Sequence, residues 1–243
     1  MRNMGIPTSL RQSLARPEVR LLLALLGVAG GTLAVLWLGG EALEGDTRAF
    51  DRTILLSMRV PGNPADPIGP GWVERMAQDL TSLGSITDLT VVTLLVIGFL
   101  VVARARGAAV LLAASVGGGM LVSSALKMMF ERPRPDLVPH LAQVVTASFP
   151  SGHAMLSAVT YLTLGALLTR LQLGRRAKRY VMAAAVGLTL VIGISRVYLG
   201  VHWPTDVLAG WCMGAAWALL CWAIARWLQR RGSVEPPGNA EAE

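Results

Sequence analysis

Apolar residues run almost unbroken from Leu21 to Gly40, and again near Ile86 to Ala103, Ala108 to Met129, Ala154 to Leu171, Val181 to Val197 and Thr205 to Trp227. A helix rises about 1.5 Å per residue, so runs of roughly twenty apolar residues suit a hydrocarbon core of about 30 Å. The pattern predicts six transmembrane helices. Between the first and second runs, residues 41–85 are polar and acidic. There Phe50, Ile54, Leu55 and Met58 recur at helical spacing, while Arg48, Asp51, Arg52 and Arg59 take the other side. That is the pattern of a short helix lying in the membrane surface, or packed on the extramembrane face of the bundle. Pro61, Gly62, Pro64, Pro67, Gly69, Pro70 and Gly71 then predict a loop. The expected architecture is an all-α integral membrane protein. It has an N-terminal segment over 1–20, one six-span domain over 21–231 with an interfacial helix inside 41–85, and a disordered tail over 232–243.

Composition agrees: 53% of residues are apolar, 15% are charged and the mean hydropathy is +0.53. The net charge of +7 raises the question of a nucleic-acid partner. The basic residues cluster at the ends of apolar runs instead of along one soluble face, so no nucleic-acid partner is expected and the charges report topology. With six spans, 14 of the 22 basic residues fall on the side of the two termini, and eleven of the fifteen acids fall on the other. The positive-inside rule then puts both termini in the cytoplasm of a cell with an inner (plasma) membrane. A cleaved signal peptide is a weaker reading of Leu21–Gly40. The run exceeds the usual apolar core of such a peptide, and the small-residue site near Gly40 and Ala42 is poor. Cys212 and Cys221 lie nine residues apart in one run, on opposite helix faces about 13 Å apart in rise, and cannot bridge each other. Gly117–Gly119 and Gly210 with Gly214 are small-residue patches, for helix packing first and a homodimer contact second.

Three polar clusters interrupt the lipid-compatible sequence. They are Lys127 to Arg134-Pro135, Pro150-Ser151-Gly152-His153, and Ser195-Arg196 with His202 and Asp206 beyond. All three fall at ends of spans on the extracytoplasmic side, where a lipid headgroup lies. A phosphate ester brings about two negative charges, and its in-line transition state spreads charge over the equatorial oxygens, so fixed cations and backbone donors are the main catalytic resource. Lys127, Arg134 and Arg196 supply cations. Ser151 precedes a helix that it can cap, leaving amides near Gly152 and His153 free for an anion. His202 is followed by Pro204, a good first helical residue, and by Asp206 in that helix's first turn. A carboxylate there can hold one imidazole nitrogen and leave the other to attack phosphorus, with His153 protonating the leaving oxygen and then activating water.

The pattern Lys-x6-Arg-Pro, Pro-Ser-Gly-His and Ser-Arg-x5-His-x3-Asp resembles that of the type 2 phosphatidic acid phosphatase (PAP2) superfamily, which also includes vanadium haloperoxidases. Every motif position is filled, in order, over about the last two-thirds of the chain. The resemblance implies a metal-independent phosphatase without a cofactor. Lys127, Arg134, Ser151, Gly152 and Arg196 would bind phosphate, with His153 as acid, His202 as nucleophile and Asp206 as its partner. The expected substrate is a lipid phosphate or pyrophosphate, with isoprenyl (undecaprenyl) pyrophosphate leading and phosphatidic acid or phosphatidylglycerophosphate behind it. Three other readings stay open. Transfer to another lipid would replace hydrolysis; a non-enzymatic carrier would use the cations only to bind an anion; and His153, His202, Asp206 and Asp136 would bind a metal, against repulsion from three nearby cations. Glu131, Arg132 and Asp136 read as rim charges, His140 as a solvent-facing loop residue, and Trp72 and Trp203 as interfacial aromatics, with Trp203 also placed to wall the pocket.

Overall fold

The computed structural model describes residues 17–144 and 146–230, so most of the expected N-terminal segment and the expected tail lie outside the described residues. The chain forms α1 (Pro17–Glu44), α2 (Arg48–Ser57), β1 (Arg59–Val60), β2 (Asn63–Pro67), α3 (Gly71–Ser82) and α4 (Ile86–Val102). It continues as α5 (Arg106–Phe130), α6 (Gly152–Leu168), α7 (Arg175–Tyr198) and α8 (Pro204–Arg230). The six expected spans are α1 and α4 to α8. Four stretches, Leu21–Glu44, Arg106–Phe130, Arg175–Tyr198 and Pro204–Gln229, are long and apolar enough to cross a membrane alone. α3 and α4 together form a fifth candidate bent by 48°, while α6, with 17 residues, is a shorter apolar helix reaching about 25 Å. Large apolar side chains stand outward on these helices, Leu121 at 74% and Val102 at 84% exposure, as lipid-facing surface requires.

α8 is the axis of the bundle, and α1 and α6 press closest to it. A Cβ on Gly210 would lie 2.7 Å from the Ser151 carbonyl, and one on Gly214 2.5 Å from that of Met155, so only glycine lets these backbones approach. On α1, a Cβ at Gly31 would meet Ala216 at 2.8 Å. On α5, Gly118 faces the Trp217 ring, where a Cβ would stand 2.4 Å away. The glycine patches therefore serve packing within the chain. Between α1, α5, α6 and α8, Val35, Leu126, Phe130, Phe149, Met155, Ala209 and Met213 form one apolar cluster, with Phe130 and Phe149 edge to face at 4.9 Å. Both cysteines are free.

The segment expected as a loop is instead a two-stranded antiparallel hairpin, with Val60 opposite Asn63. Pro61 and Gly62 turn it, and Gly62 has the positive φ (82°) that the third position of a type II turn demands. Its prolines are tolerated because a two-stranded ribbon has only edges. Asp51 on α2 and Arg59 on β1, both placed by their pattern on the polar side of one short helix, are buried at 0% and 4% exposure. Asp51 turns inward with Leu55 against the start of α8, and Arg59 donates from Nη1 to the Tyr198 carbonyl at 3.0 Å, closing the end of α7.

Candidate active site

α5 stops where Glu131 turns left-handed (φ 41°), and Pro133 and Pro135 hold the following chain extended. Alternate residues of an extended chain share a side, so Arg132 and Arg134 both turn toward the start of α8. Arg132 donates from Nη1 to Asp206 Oδ1 (2.6 Å) and Thr205 Oγ1 (2.8 Å), and from Nη2 to Asp51 Oδ2 (2.7 Å) and Thr47 Oγ1 (3.1 Å). The expectation that Arg132 is a rim charge is thus overturned. Glu131 and Asp136 are exposed, but Arg132 is 5% exposed and joins two carboxylates that are each at 0%. Trp203 covers this bridge, its ring centroid 5.6 Å from the guanidinium carbon and its Nε1 donating to the Pro133 carbonyl.

His202 sits between Arg134 and Asp206. Arginine has no acceptor, so the 3.3 Å contact from Arg134 Nη1 requires a lone pair on Nε2 and leaves the imidazole proton on Nδ1. Nδ1 faces Ser148 Oγ at 3.4 Å and Asp206 Oδ2 at 3.5 Å. Ser148 donates to the same Oδ2, and the Trp203 amide does so at 2.8 Å. Burial, partly offset by the hydrogen bond and charge of Asp206, pulls the His202 pKa down to about 4, so the ring is neutral at neutral pH.

The residues expected to bind an anion lie around this imidazole. Lys127, in the last turn of α5, donates to the Ala147 carbonyl at 2.6 Å, and its Cε would lie 3.6 Å from a Cβ on Gly152. Arg134 donates from Nε to the Thr146 carbonyl (2.8 Å) and from Nη1 to that of Val201 (2.6 Å). Burial is the first cause that lowers its pKa, opposed by Asp206. Arg196, in the last turn of α7, donates from Nη1 to Thr81 Oγ1 at 3.0 Å, while its Nε is buried with no partner among the described residues. The Ser151 amide donates to the Asp206 carbonyl at 2.9 Å, tying α6 to α8. The side chain of Ser151 makes no capping bond, contrary to the capping role expected of it; its Oγ is buried and unpartnered instead. His153, in the first turn of α6, is within reach of the charges of Arg196, Lys127 and Arg134 and of the His202 ring. Its ring packs against the α3–α4 break, where a Cβ on Gly84 would stand 3.4 Å away.

All eight residues singled out from the sequence thus stand at one end of the bundle. Sequence reasoning missed Asp51, Thr81, Gly84, Arg132, Thr205 and the run Thr146-Ala147-Ser148, whose three members receive Arg134, Lys127 and the His202–Asp206 pair in turn. One signal was present: Arg-Pro-Arg-Pro fixes two arginines on one side of an extended segment, so Arg132 belongs with Arg134. The others are distant in sequence and carry no local pattern. The arrangement supplies three cations, free first-turn amides of α6 and a neutral imidazole whose Nε2 faces Arg134 and whose Nδ1 is backed by a carboxylate. It suits binding and attacking a phosphate group. A metal set of His153, His202, Asp206 and Asp136 is disfavoured: Asp136 is exposed, and the Asp206 oxygens are engaged by Arg132, Ser148 and Trp203.

Comparison with known proteins agrees with this geometry. Residues 108–230 match the PAP2 superfamily. Phosphatidylglycerophosphatase B of Bacillus subtilis (strain 168) is 33% identical over 144 residues, covering 59% of this chain and 70% of that protein. An undecaprenyl-diphosphatase of Sulfolobus acidocaldarius is 38% identical over 68 residues, which is 28% of this chain and 29% of its own. The crystal structure of a transmembrane PAP2-type phosphatidylglycerolphosphate phosphatase from Bacillus subtilis superposes with a TM-score of 0.76 at 27% identity, covering 84% of this chain and 98% of that one. The matched profile spans just over half the chain and takes in every motif residue from Lys127 to Asp206, so the protein belongs to the PAP2 superfamily and is a multi-pass membrane phosphatase.

Proposed function

We propose that this protein removes a terminal phosphate from a membrane lipid phosphate or pyrophosphate through a phosphohistidine on His202. The observation that carries the proposal is the set of contacts around the His202 ring. Its Nε2 lone pair points at Arg134, where phosphate oxygens would dock, and its Nδ1–H is backed by Ser148 and Asp206. Attack of Nε2 on phosphorus leaves the ring positively charged, and Asp206 then stabilises that charge. Arg134, Lys127, Arg196, Ser151 Oγ and the amides at Gly152 and His153 take the equatorial oxygens. The buried, unpartnered Arg196 Nε and Ser151 Oγ are donors ready for that load. His153 protonates the departing oxygen, and afterwards takes a proton from the water that attacks the phosphohistidine, releasing inorganic phosphate. No step calls for a metal.

The site faces outward from the cytoplasm at headgroup level, and both termini are cytoplasmic, a reading supported by the asymmetry of basic residues. Undecaprenyl pyrophosphate and phosphatidylglycerophosphate are the substrates to test first. The extracytoplasmic placement favours the former, and the longer match to a phosphatidylglycerophosphatase favours the latter. The test is a panel of lipid phosphates with purified protein and a His202→Ala control. We expect phosphate release from at least one lipid, and a phosphoenzyme trapped by acid quench that His202→Ala lacks. An intact phosphoenzyme in the variant would remove His202 from the nucleophile role. Substrate binding without phosphate release would indicate a carrier, and phosphate recovered on a second lipid would indicate a phosphotransferase.

A further inference from the structure

At the end of the bundle away from the catalytic cluster, a cavity of about 700 Å³ opens between α5, α6, α7 and α8. The volume is within the roughly 300–1,000 Å³ of small-molecule sites. Its walls are apolar, with Leu111, Leu162, Ala166, Met182 and Leu219 among them. Two arginines also line it: Arg170, just beyond the end of α6, and Arg226, on α8. Arg170 lies about 25 Å from the start of α6, by helix rise over 17 residues.

Three features distinguish this cavity from an ordinary packing gap. Neither arginine forms an ion pair among the described residues. Among the described residues Arg170 Nη2 is buried without a partner, and so is Thr163 Oγ1, on a side chain 5% exposed that also lines the cavity. Both arginines line the same cavity, so two like charges share it. Arg226 also stacks on Trp222, its guanidinium carbon 5.5 Å from a ring centroid, which fixes its position at the rim. Two like charges and an orphaned buried donor above an apolar chamber are stabilised by an anion that carries a hydrophobic tail.

We infer that this cavity is a second, non-catalytic binding site for a phosphate-bearing lipid of the leaflet opposite the active site, with an acyl chain inside and its phosphate on Arg170 and Arg226. The inference does not depend on the substrate of the catalytic site. A diester phospholipid has the required chemistry and offers the phosphatase no terminal phosphate to remove.

The test is native mass spectrometry and thermal unfolding of the full chain in detergent with phosphatidylglycerol, phosphatidylcholine or inorganic phosphate added. Wild type should retain one phosphatidylglycerol and be protected by it more than by phosphatidylcholine. The pair Arg170→Gln/Arg226→Gln should lower that preference about tenfold or more while hydrolysis of a soluble phosphate monoester stays unchanged. Ala166→Phe, which fills the cavity and keeps both arginines, should weaken lipid retention independently and guards against misfolding of the first variant. Unchanged preference for phosphatidylglycerol in both variants would overturn the site. Inorganic phosphate protecting wild type as fully as the lipid would overturn its lipid character.

Discussion

Replacing Arg132 by methionine tests the buried bridge directly. The guanidinium is 2.6 Å from Asp206 and 2.7 Å from Asp51, and neither carboxylate has solvent to fall back on. Methionine fills similar volume, so the loss is mainly charge: two buried carboxylates face each other with their shared cation gone. Breaking a buried pair by removing one partner costs about 3–5 kcal/mol, where a surface pair costs about 0–1. For a chain of this size each kcal/mol shifts the melting temperature by about 2–4 °C, so a fall of about 6–20 °C is expected by thermal unfolding in detergent. Catalysis should fall as well, because Asp206 Oδ1 loses the contact that aims Oδ2 at His202. Adding Asp51→Asn to Arg132→Met removes one stranded charge and should restore part of the melting temperature without restoring kcat. A single variant melting within about 3 °C of wild type, with unchanged kcat, would show that Arg132 is only an interfacial anchor.

The pH dependence follows from the lowered pKa of His202. Burial favours the neutral ring, neutral is the attacking form, and so kcat/KM should persist below the ordinary imidazole value and fail only as pH drops through about 4, once substrate ionisation near pH 6 is allowed for. Stability shares the sign: the unfolded ring takes up a proton at a higher pH than the folded one, so the protein loses stability as pH falls from about 6.5 toward 4. An acid limb at or above 6.5 in corrected kcat/KM would contradict the burial of this ring. Ser148→Ala removes the hydroxyl lying between Nδ1 and Asp206 and should lower kcat about 10–100-fold with little change in KM, measured on the best lipid substrate. Gly84→Val puts a Cβ 2.5 Å from Ile192 and 3.4 Å from the His153 ring, so it should cut kcat and destabilise by about 1–3 kcal/mol; wild-type activity would show that His153 can shift freely.

The half of the site proposed to act on phosphate was legible because it lies at helix ends, where a charged residue next to twenty apolar ones stands out. Lys127, Arg196 and Asp206 are visible for that reason, and the spacing of His202 from Asp206 gives their pairing directly. The support was not legible. Asp51 reads as the polar side of an amphipathic helix, and only the fold shows that this side turns inward to Thr205 and Arg132. Thr81 and Gly84 look like ordinary helix-end residues until α3 and α7 are set side by side. The hairpin over 59–67 hid behind its prolines, which in a wider sheet would have excluded strands. Each of the six apolar runs corresponds to a helix, but α4 and α6, at 17 residues each, are shorter than hydropathy alone suggested, and four helices, or five with the bent α3–α4 pair, are long and apolar enough to cross a membrane.

The bridge through Arg132 also bears on when the enzyme becomes competent. Asp51 precedes Arg132 by 81 positions and Asp206 follows it by 74. At about 5–20 residues per second, the ribosome needs about 4–15 s after making the arginine to deliver the second aspartate. Through most of that interval the nascent chain has Lys127, Arg134 and the earlier aspartate, while Arg196, His202 and Asp206 are still to come. Insertion of the last helix, with the turn before it, brings His202 and Asp206 in together and balances the charges in the same movement, so under the proposed mechanism a half-made protein is inert toward the phospholipids through which it is being threaded.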